Sequence, residues 1–161
     1  MDTLTMAAVA CRPVLPADEP FLRRVYASTR ERELAAVEWS DEQKAAFVDM
    51  QFDAQARYYE DVYTGASYQV IEVDGVPAGR LYLWVGTSEI RIVDITLLPE
   101  HRGRGVGSGL LRGLVEQGRA SGNPVSIHVE FQNPARGLYE RLGFVEAGQR
   151  GIYTLMEWRP S

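Results

Sequence analysis

The grouping of apolar and polar residues along the chain predicts strands and helices in a definite order, starting with a strand over 7–14. Pro16 closes that strand because proline has no amide hydrogen to give to a sheet. Asp18 and Pro20 then mark the start of a helix. Side chains on one side of this helix form an apolar face, and they are Phe21, Leu22, Val25, Tyr26 and Thr29, with Leu34 and Val37 extending it.

A second, longer helix is predicted over 41–63. Ser40 and Gln43 have the spacing of a capping box, in which each side chain bonds to the backbone amide of the other residue. The inward face of this helix would draw on Ala46, Phe47, Met50, Phe52 and Ala54.

Three antiparallel strands are predicted next. The apolar runs 68–73 and 78–85 flank Asp74-Gly75, which is a strong hairpin signal. The third strand covers 89–98, is rich in β-branched residues and ends at Pro99.

The pattern becomes helical again after a glycine-rich stretch, since Val106, Leu110 and Leu114 recur at helical spacing. The elements predicted from here on are a helix over 104–120, a buried parallel strand over 125–129, a helix from Asn133 to Gly143, and final strands over 144–147 and 152–158. Together they predict an α/β fold, mixed α+β in character, with a central mixed sheet of about seven strands flanked by about four helices.

Length and composition fit one folded domain over 1–161, with 45% hydrophobic and 24% charged residues. The formal charge of −5 argues against nucleic-acid binding. Apolar stretches such as 81–85 are too short to span a bilayer and no signal-peptide pattern is present, so we expect no membrane partner and a cytoplasmic location. Cys11 is the only cysteine, and neither His101 nor His128 has spaced partners, so no metal site is predicted.

The candidate chemistry lies in the glycine-rich stretch between the third of these strands and the following helix. Three glycines two residues apart leave the first amides of the helix uncovered, and the helix dipole adds roughly half a positive charge there. Arginines and a serine add further donors, so a diphosphate is the best-matched ligand. The cluster consists of Arg102, Gly103, Arg104, Gly105, Gly107 and Ser108.

Other interpretations of these glycines stay open at this point. They could serve only close packing between strand and helix. A Walker loop would need Gly-Lys-Ser/Thr at the helix start, and no lysine is present there. A dinucleotide fingerprint needs glycines directly after the strand and an acid about 20 residues on. Glu130 is a tolerable acid, but 99–102 intervene and the third glycine is misplaced.

Two motifs in register resemble those of the GNAT (Gcn5-related N-acetyltransferase) superfamily. The first is similar to the acetyl-CoA motif of that family and reads Arg102-x-x-Gly105-x-Gly107, with Leu97-x-Pro99 ahead of it. The second reads Asn133-Pro134-Ala135, followed by Leu138-Tyr139 and Leu142-Gly143-Phe144. Together the motifs cover 89–147, and the preceding part agrees with the family in its order of elements.

The resemblance implies that acetyl-CoA is the co-substrate. Its pantetheine arm would pair, much as an extra strand would, with the backbone of Ile95, Thr96 and Leu97. Its diphosphate would be held by the hydroxyl of Ser108 and the backbone amides of Arg102, Gly103, Arg104, Gly105, Val106 and Gly107. Asn133 matches the family's side-chain contact to the pantetheine arm, although it could instead be a plain helix cap, and the two roles are compatible.

By the same resemblance, Tyr139 falls at the position whose hydroxyl protonates the departing thiolate; the alternative is a packed aromatic side chain. A tyrosine pKa of about 10 suits donation to a thiolate whose acid has a pKa of about 8.5. The candidates for the general base lie on or beside strands near the thioester and are Glu89, Asp94 and Glu130. Asp94 could instead be a structural acid paired with Arg91 or Arg80, and some family members use only a water chain.

These points predict an acetyl-CoA-dependent N-acetyltransferase that acts on a primary amine of a small molecule or peptide, and we allow for a homodimer. The alternatives are a catalytically inactive acetyl-CoA sensor or docking module, and an acyl-CoA hydrolase or other acyltransferase. The segments 26–33 and 51–63 would frame the acceptor's entrance, unless the second is simply an amphipathic surface helix. The acidic charge, with Asp53, Glu60 and Asp61, favours a basic acceptor.

Overall fold

The computed structural model describes residues 8–130 and 133–161, so Ala7 of the first predicted strand lies outside the described residues. The strands are β1 (Val9–Pro13), β2 (Ser67–Val73), β3 (Val76–Val85), β4 (Ile90–Leu97), β5 (Val125–Glu130), β6 (Val145–Arg150) and β7 (Tyr153–Trp158). The α-helices are α1 (Glu19–Ser28), α2 (Glu31–Ala35), α3 (Asp41–Val62), α4 (Val106–Ser121) and α5 (Arg136–Arg141).

The strands form one seven-stranded sheet in the order β1-β2-β3-β4-β5-β7-β6. Only β4 and β5 pair in parallel, and the other neighbouring strands are antiparallel. The predicted mixed α/β fold is therefore confirmed. The described part of the chain contains five α-helices rather than about four, because α1 ends where the hydroxyls of Ser28 and Thr29 bond back to the carbonyls of Val25 and Tyr26.

Local sequence signals account for two of the connections. Asp74 and Gly75 have φ angles of 51° and 79°, as a two-residue hairpin turn requires. At the start of α3, the amide of Gln43 donates to Oγ of Ser40 at 3.1 Å, and the amide of Ser40 donates to Oε1 of Gln43 at 2.9 Å. The predicted hairpin and capping box are both confirmed.

Two hydrophobic cores cover opposite faces of the sheet. The larger core packs α4 and α5 on the strands and includes Ile90, Ile92, Leu111, Val115, Tyr139 and Phe144. The smaller core lies between α1 and α3 and contains Leu22, Tyr26, Val48 and Phe52. The inclusion of Met50 in the inward face was wrong, because Val48 and Phe52 set the buried side of α3 and Met50 lies about half a turn away from both.

A β-bulge at Val93 changes the phase of β4. Strand β3 pairs with Ile92 and Asp94 in succession and skips the residue between them. Ile95 therefore returns to the apolar face that α4 covers, whereas Asp94 projects from the opposite face, beneath α1 and α3.

Strands β4 and β5 pair only briefly before they separate. Their parallel register covers 90–92 on β4 and 125–127 on β5. Beyond these pairs, 94–97 of β4 stays paired with β3 and has no β5 partner within the described residues. Within the residues described, no helix is long and apolar enough to cross a membrane, and no three histidine, cysteine or acidic side chains gather as a metal site would require.

Candidate functional site

The glycine-rich stretch forms a turn over 102–105, between a short 3₁₀ helix at Pro99–His101 that follows β4 and helix α4, which starts at Val106 rather than at 104. Gly103 and Gly105 have φ angles of 75° and 78°, in the left-handed region that favours glycine. A Cβ on either glycine would meet nothing within 4 Å, so close packing does not explain them. Their role is conformational, since they turn the chain so that the first amides of α4 carry no overlying side chain.

Arg102 fixes this turn to the end of β4. Its Nε donates to the carbonyl oxygen of Leu97 at 3.0 Å. Arg104 is exposed, and Ser108 is half-buried in the first turn of α4. The turn thus brings together the predicted diphosphate-binding residues, which are Arg102, Gly103, Arg104, Gly105, Val106, Gly107 and Ser108.

A cavity of about 1060 Å³ lies between the separating strands on one side and α1 and α3 on the other. It brings together six of the predicted site residues, which are Asp94, Ile95, Thr96, Glu130, Asn133 and Tyr139. Leu97, Glu89 and the glycine-rich turn lie outside its lining. Both predicted entrance segments, 26–33 and 51–63, contribute lining residues.

Tyr139 lines the cavity and is only 4% exposed. Its ring packs edge-on against Phe144, with centroids 5.6 Å apart. Burial, and then the negative charge of Asp94, raises the pKa of Tyr139 to about 12. The phenol is therefore protonated at neutral pH and can act as a proton donor.

Asp94 is the acceptor at the centre of a buried hydrogen-bond network. Arg80 donates from Nε to Oδ1 at 3.1 Å and from Nη2 to Oδ2 at 2.8 Å. The hydroxyls of Tyr59 and Thr96 also donate to the carboxylate, at 3.1 and 2.6 Å. Burial alone would lower the pKa of Arg80, but the charge and hydrogen bonds of Asp94 outweigh it and the pKa is raised. Of the two structural pairings considered for Asp94, the structure contains the one with Arg80.

Arg91 instead organises the β5 side of the cavity. Its guanidinium donates to Oγ of Ser126 at 2.7 Å and contacts Nδ1 of His128 at 3.2 Å. Because a guanidinium only donates, Nδ1 accepts, and neutral His128 carries its proton on Nε2. Burial, with the charges of Arg91 and Arg150, lowers the pKa of His128. The sequence assigned no site role to His128, and the structure places it in the lining of the cavity.

The acidic residues that suggested a basic acceptor are not in the cavity. Asp53, Glu60 and Asp61 lie outside its lining, and Asp53 pairs with Arg23 of α1 at 2.8 Å. The cavity instead contains Glu130 and, at the end of β6, Arg150.

Asn133 follows β5 and caps the approach to α5. Its Oδ1 accepts a hydrogen bond from the amide of Ala135 at 2.8 Å. The helix starts at Arg136 rather than at Pro134, since 134–135 form a turn first. The capping uses only the side-chain oxygen, so the amide NH2 of Asn133 can still donate into the cavity that the residue lines.

Comparison with known proteins gives a family and a fold. Residues 22–144 match the model of the family described as acetyltransferase (GNAT) family. A Bacillus subtilis (strain 168) protein, named as a candidate ribosomal protein bS18-alanine N-acetyltransferase, is 37% identical over 90 residues, which are 55% of this chain and 60% of that relative. The alignment thus spans less than two thirds of the relative's length.

Solved structures agree over almost the whole chain. The PaiA N-acetyltransferase from Thermoplasma acidophilum in complex with coenzyme A gives a TM-score of 0.70 at 16% identity, over 94% of this chain and 99% of that chain. A GCN5-related N-acetyltransferase from Rhodopseudomonas palustris gives a TM-score of 0.67 at 23% identity, over 98% and 99% of the two chains. At these identities the likeness shows the fold.

Proposed function

Because the chain belongs to the acetyltransferase (GNAT) family, as its two motifs had indicated, we propose that it moves the acetyl group of acetyl-CoA directly to a primary amine. The amine nitrogen attacks the thioester carbonyl, the C–S bond breaks, and coenzyme A leaves as a thiolate that takes up a proton. The chain has to bind the cofactor, accept a proton from the amine and donate one to sulfur.

The gap between β4 and β5 is the observation that carries this proposal. Ile95, Thr96 and Leu97 lie on β4 beyond its last pair with β5, so their backbone groups on that edge have no strand partner among residues 8–130 and 133–161. An extended amide-containing arm can bond to such an edge as an added strand would. The pantetheine arm has this chemistry, and the gap leads to the glycine-rich turn.

The glycine-rich turn would hold the diphosphate. The uncovered amides at the start of α4 would donate to its oxygens, and the helix dipole favours negative charge there. Arg104 adds an exposed cation and Ser108 a hydroxyl. Asn133 would donate its amide NH2 to a carbonyl of the pantetheine arm while its oxygen caps the turn before α5.

We assign the general acid to Tyr139 and the general base to Glu130. Tyr139 is a protonated phenol that lines the cavity. Glu130 lines the same cavity at the end of β5, and its carboxylate is exposed. Asp94 is less suited to remove a proton, because four donor contacts already occupy its oxygens. Glu89 lies outside the cavity.

We further propose that residues 1–161 act as a single domain in the cytoplasm, with a homodimer as the assembly to be tested. One continuous sheet and the α4 core that spans its two halves support the single domain.

The test is to incubate the purified protein with acetyl-CoA and a panel of primary amines and to follow thiol release. We expect amine-dependent release, and we expect Tyr139→Phe to lower turnover by roughly 10²–10⁴-fold with cofactor affinity nearly intact. Tyr68→Phe removes a hydroxyl outside the cavity and serves as the matched control. Tight acetyl-CoA binding without thiol release for any amine would identify an inactive sensor instead.

A further inference from the structure

We propose that the acceptor is a free α-amino acid with an apolar side chain, whose carboxylate is bound by Arg150 and whose amine faces Glu130. This inference rests on the proposed acetyl transfer. It adds the chemical class of the acceptor and a residue that selects it.

Ion pairs account for most of the charged side chains around the cavity. They are Arg30 with Glu33 at 3.1 Å, Arg80 with Asp94 at 2.8 Å, and Arg91 with Glu89 at 3.6 Å. Glu130 and Arg150 also line the cavity. Among residues 8–130 and 133–161, neither of these two side chains has a hydrogen-bond or ion-pair partner. One negative and one positive group are thus available to a ligand.

The sheet register places Glu130 and Arg150 in one row on the same face. Glu130 lies opposite Tyr153 in the β5–β7 ladder, and Arg150 lies opposite Tyr153 in the β7–β6 ladder. Directly opposite residues project to the same side of a sheet. The two Cα atoms are therefore roughly 10 Å apart, which is two strand spacings. The side chain of Tyr153 projects between them in the same row. Both flanking side chains are long, so they can reach past this ring to a small ligand that carries an amine and a carboxylate on one carbon.

The charge of Arg150 acts on His128, another residue that lines the cavity. Together with burial and Arg91, it lowers the pKa of His128, which lies on β5 in the row next to Glu130. His128 is consequently neutral at pH 7 and leaves the carboxylate-binding charge to Arg150.

Exposed apolar side chains stand on both sides of the cavity's mouth. Tyr58 and Val62 of α3 are each 51% exposed, and Ile152 and Tyr153 at the β6–β7 turn are 64% and 43% exposed. All four line the cavity. A cluster of exposed apolar groups around a cavity is typical of a ligand-binding surface. This cluster fits the apolar side chain of an amino acid better than the hydrated cationic chain of a polyamine. A polyamine carries several positive charges, and Glu130 is the one unpaired acid among the described lining residues.

The test is calorimetric titration of L-leucine, L-leucinamide and spermidine into the protein loaded with coenzyme A. Leucinamide lacks the carboxylate and also represents the first residue of a peptide. We expect L-leucine to bind roughly 10–100-fold more tightly than leucinamide, because a charge-assisted bond is lost with the amide. Arg150→Gln should remove this preference. Arg112→Gln, which removes an exposed cation from α4 outside the cavity, should keep it.

The outcomes separate the acceptor class from the reaction. Leucinamide or spermidine binding as tightly as L-leucine would overturn the inference, as would an equal loss of L-leucine and leucinamide affinity in Arg150→Gln. If all three amines are acetylated without preference, the acetyltransferase proposal stands and the acceptor class is wrong. Selective L-leucine binding without thiol release from acetyl-CoA would support the recognition by Arg150 and refute the transfer.

Discussion

Replacing Asp94 by asparagine is expected to destabilise the fold strongly, because Asp94 compensates the charge of a buried guanidinium. The side chain of Arg80 is 2% exposed and that of Asp94 is 13% exposed. Removing one partner of a buried ion pair costs about 3–5 kcal/mol, since the remaining charge is left uncompensated. In a chain of this length each kcal/mol lowers Tm by roughly 2–4 °C, so Asp94→Asn should melt roughly 6–20 °C below the wild type.

The matched control is Asp53→Asn, which breaks an ion pair of the same 2.8 Å length between α1 and α3. The side chain of Asp53 is 49% exposed, so we expect a cost of at most about 1 kcal/mol. Thermal unfolding followed by circular dichroism measures both variants, and thiol release measures their turnover. If Asp94→Asn melts like Asp53→Asn while its turnover falls by roughly 100-fold or more, Asp94 is the general base and the structural assignment is refuted.

Further predictions concern the cofactor turn, helix α4 and the general acid. Gly105→Glu should weaken coenzyme A binding by roughly 10-fold or more in calorimetry, because it puts a carboxylate at the anion site and strains a positive φ. The control variant Gly113→Glu should bind coenzyme A normally, and equal affinities of the two variants would contradict the prediction. Gly118→Ala should lose about 1–3 kcal/mol of stability, because its Cβ would lie 2.8 Å from the carbonyl oxygen of Asn123. Gly113→Ala should gain up to about 1 kcal/mol. A higher Tm for Gly118→Ala than for Gly113→Ala would refute this prediction. A general acid works while it is protonated, and the pKa of Tyr139 is raised to about 12. Turnover should therefore show no Tyr139-dependent fall between about pH 7 and 10. A fall in that range that Tyr139→Phe removes would disprove the assignment of Tyr139 as the general acid.

Sequence patterns predicted the features that depend on neighbouring residues. The Asp74-Gly75 hairpin, the Ser40 capping box and the glycine-rich turn each follow from backbone chemistry within a few positions. The motif pair then indicated the family, and Tyr139 and Asn133 do meet in one cavity. Their catalytic and cofactor-binding roles stay predictions.

The Arg80–Asp94 pair was harder to assign, because it depends on the bulge in β4. The sequence does carry a signal for it: the apolar positions fall at Ile90 and Ile92, then shift phase to Ile95 and Leu97. A strand without a bulge would have placed Asp94 on the apolar face. Arg150 had no such signal, since its place in the cavity comes from the ladders that align β6 with β7 and β5.

The short junction between β4 and β5 has a consequence for how the protein unfolds. Three residue pairs connect the first four strands to the last three. Regions joined by so few backbone bonds tend to open as separate cooperative units, unless other contacts cross the boundary. Helix α4 crosses it on one face, and a cofactor in the gap would cross it too. Acetyl-CoA would then stabilise the folded chain as well as react. At about 100 times its Kd it would add roughly 2.7 kcal/mol to the free energy of unfolding, so the Tm of the chain would depend on the free acetyl-CoA concentration.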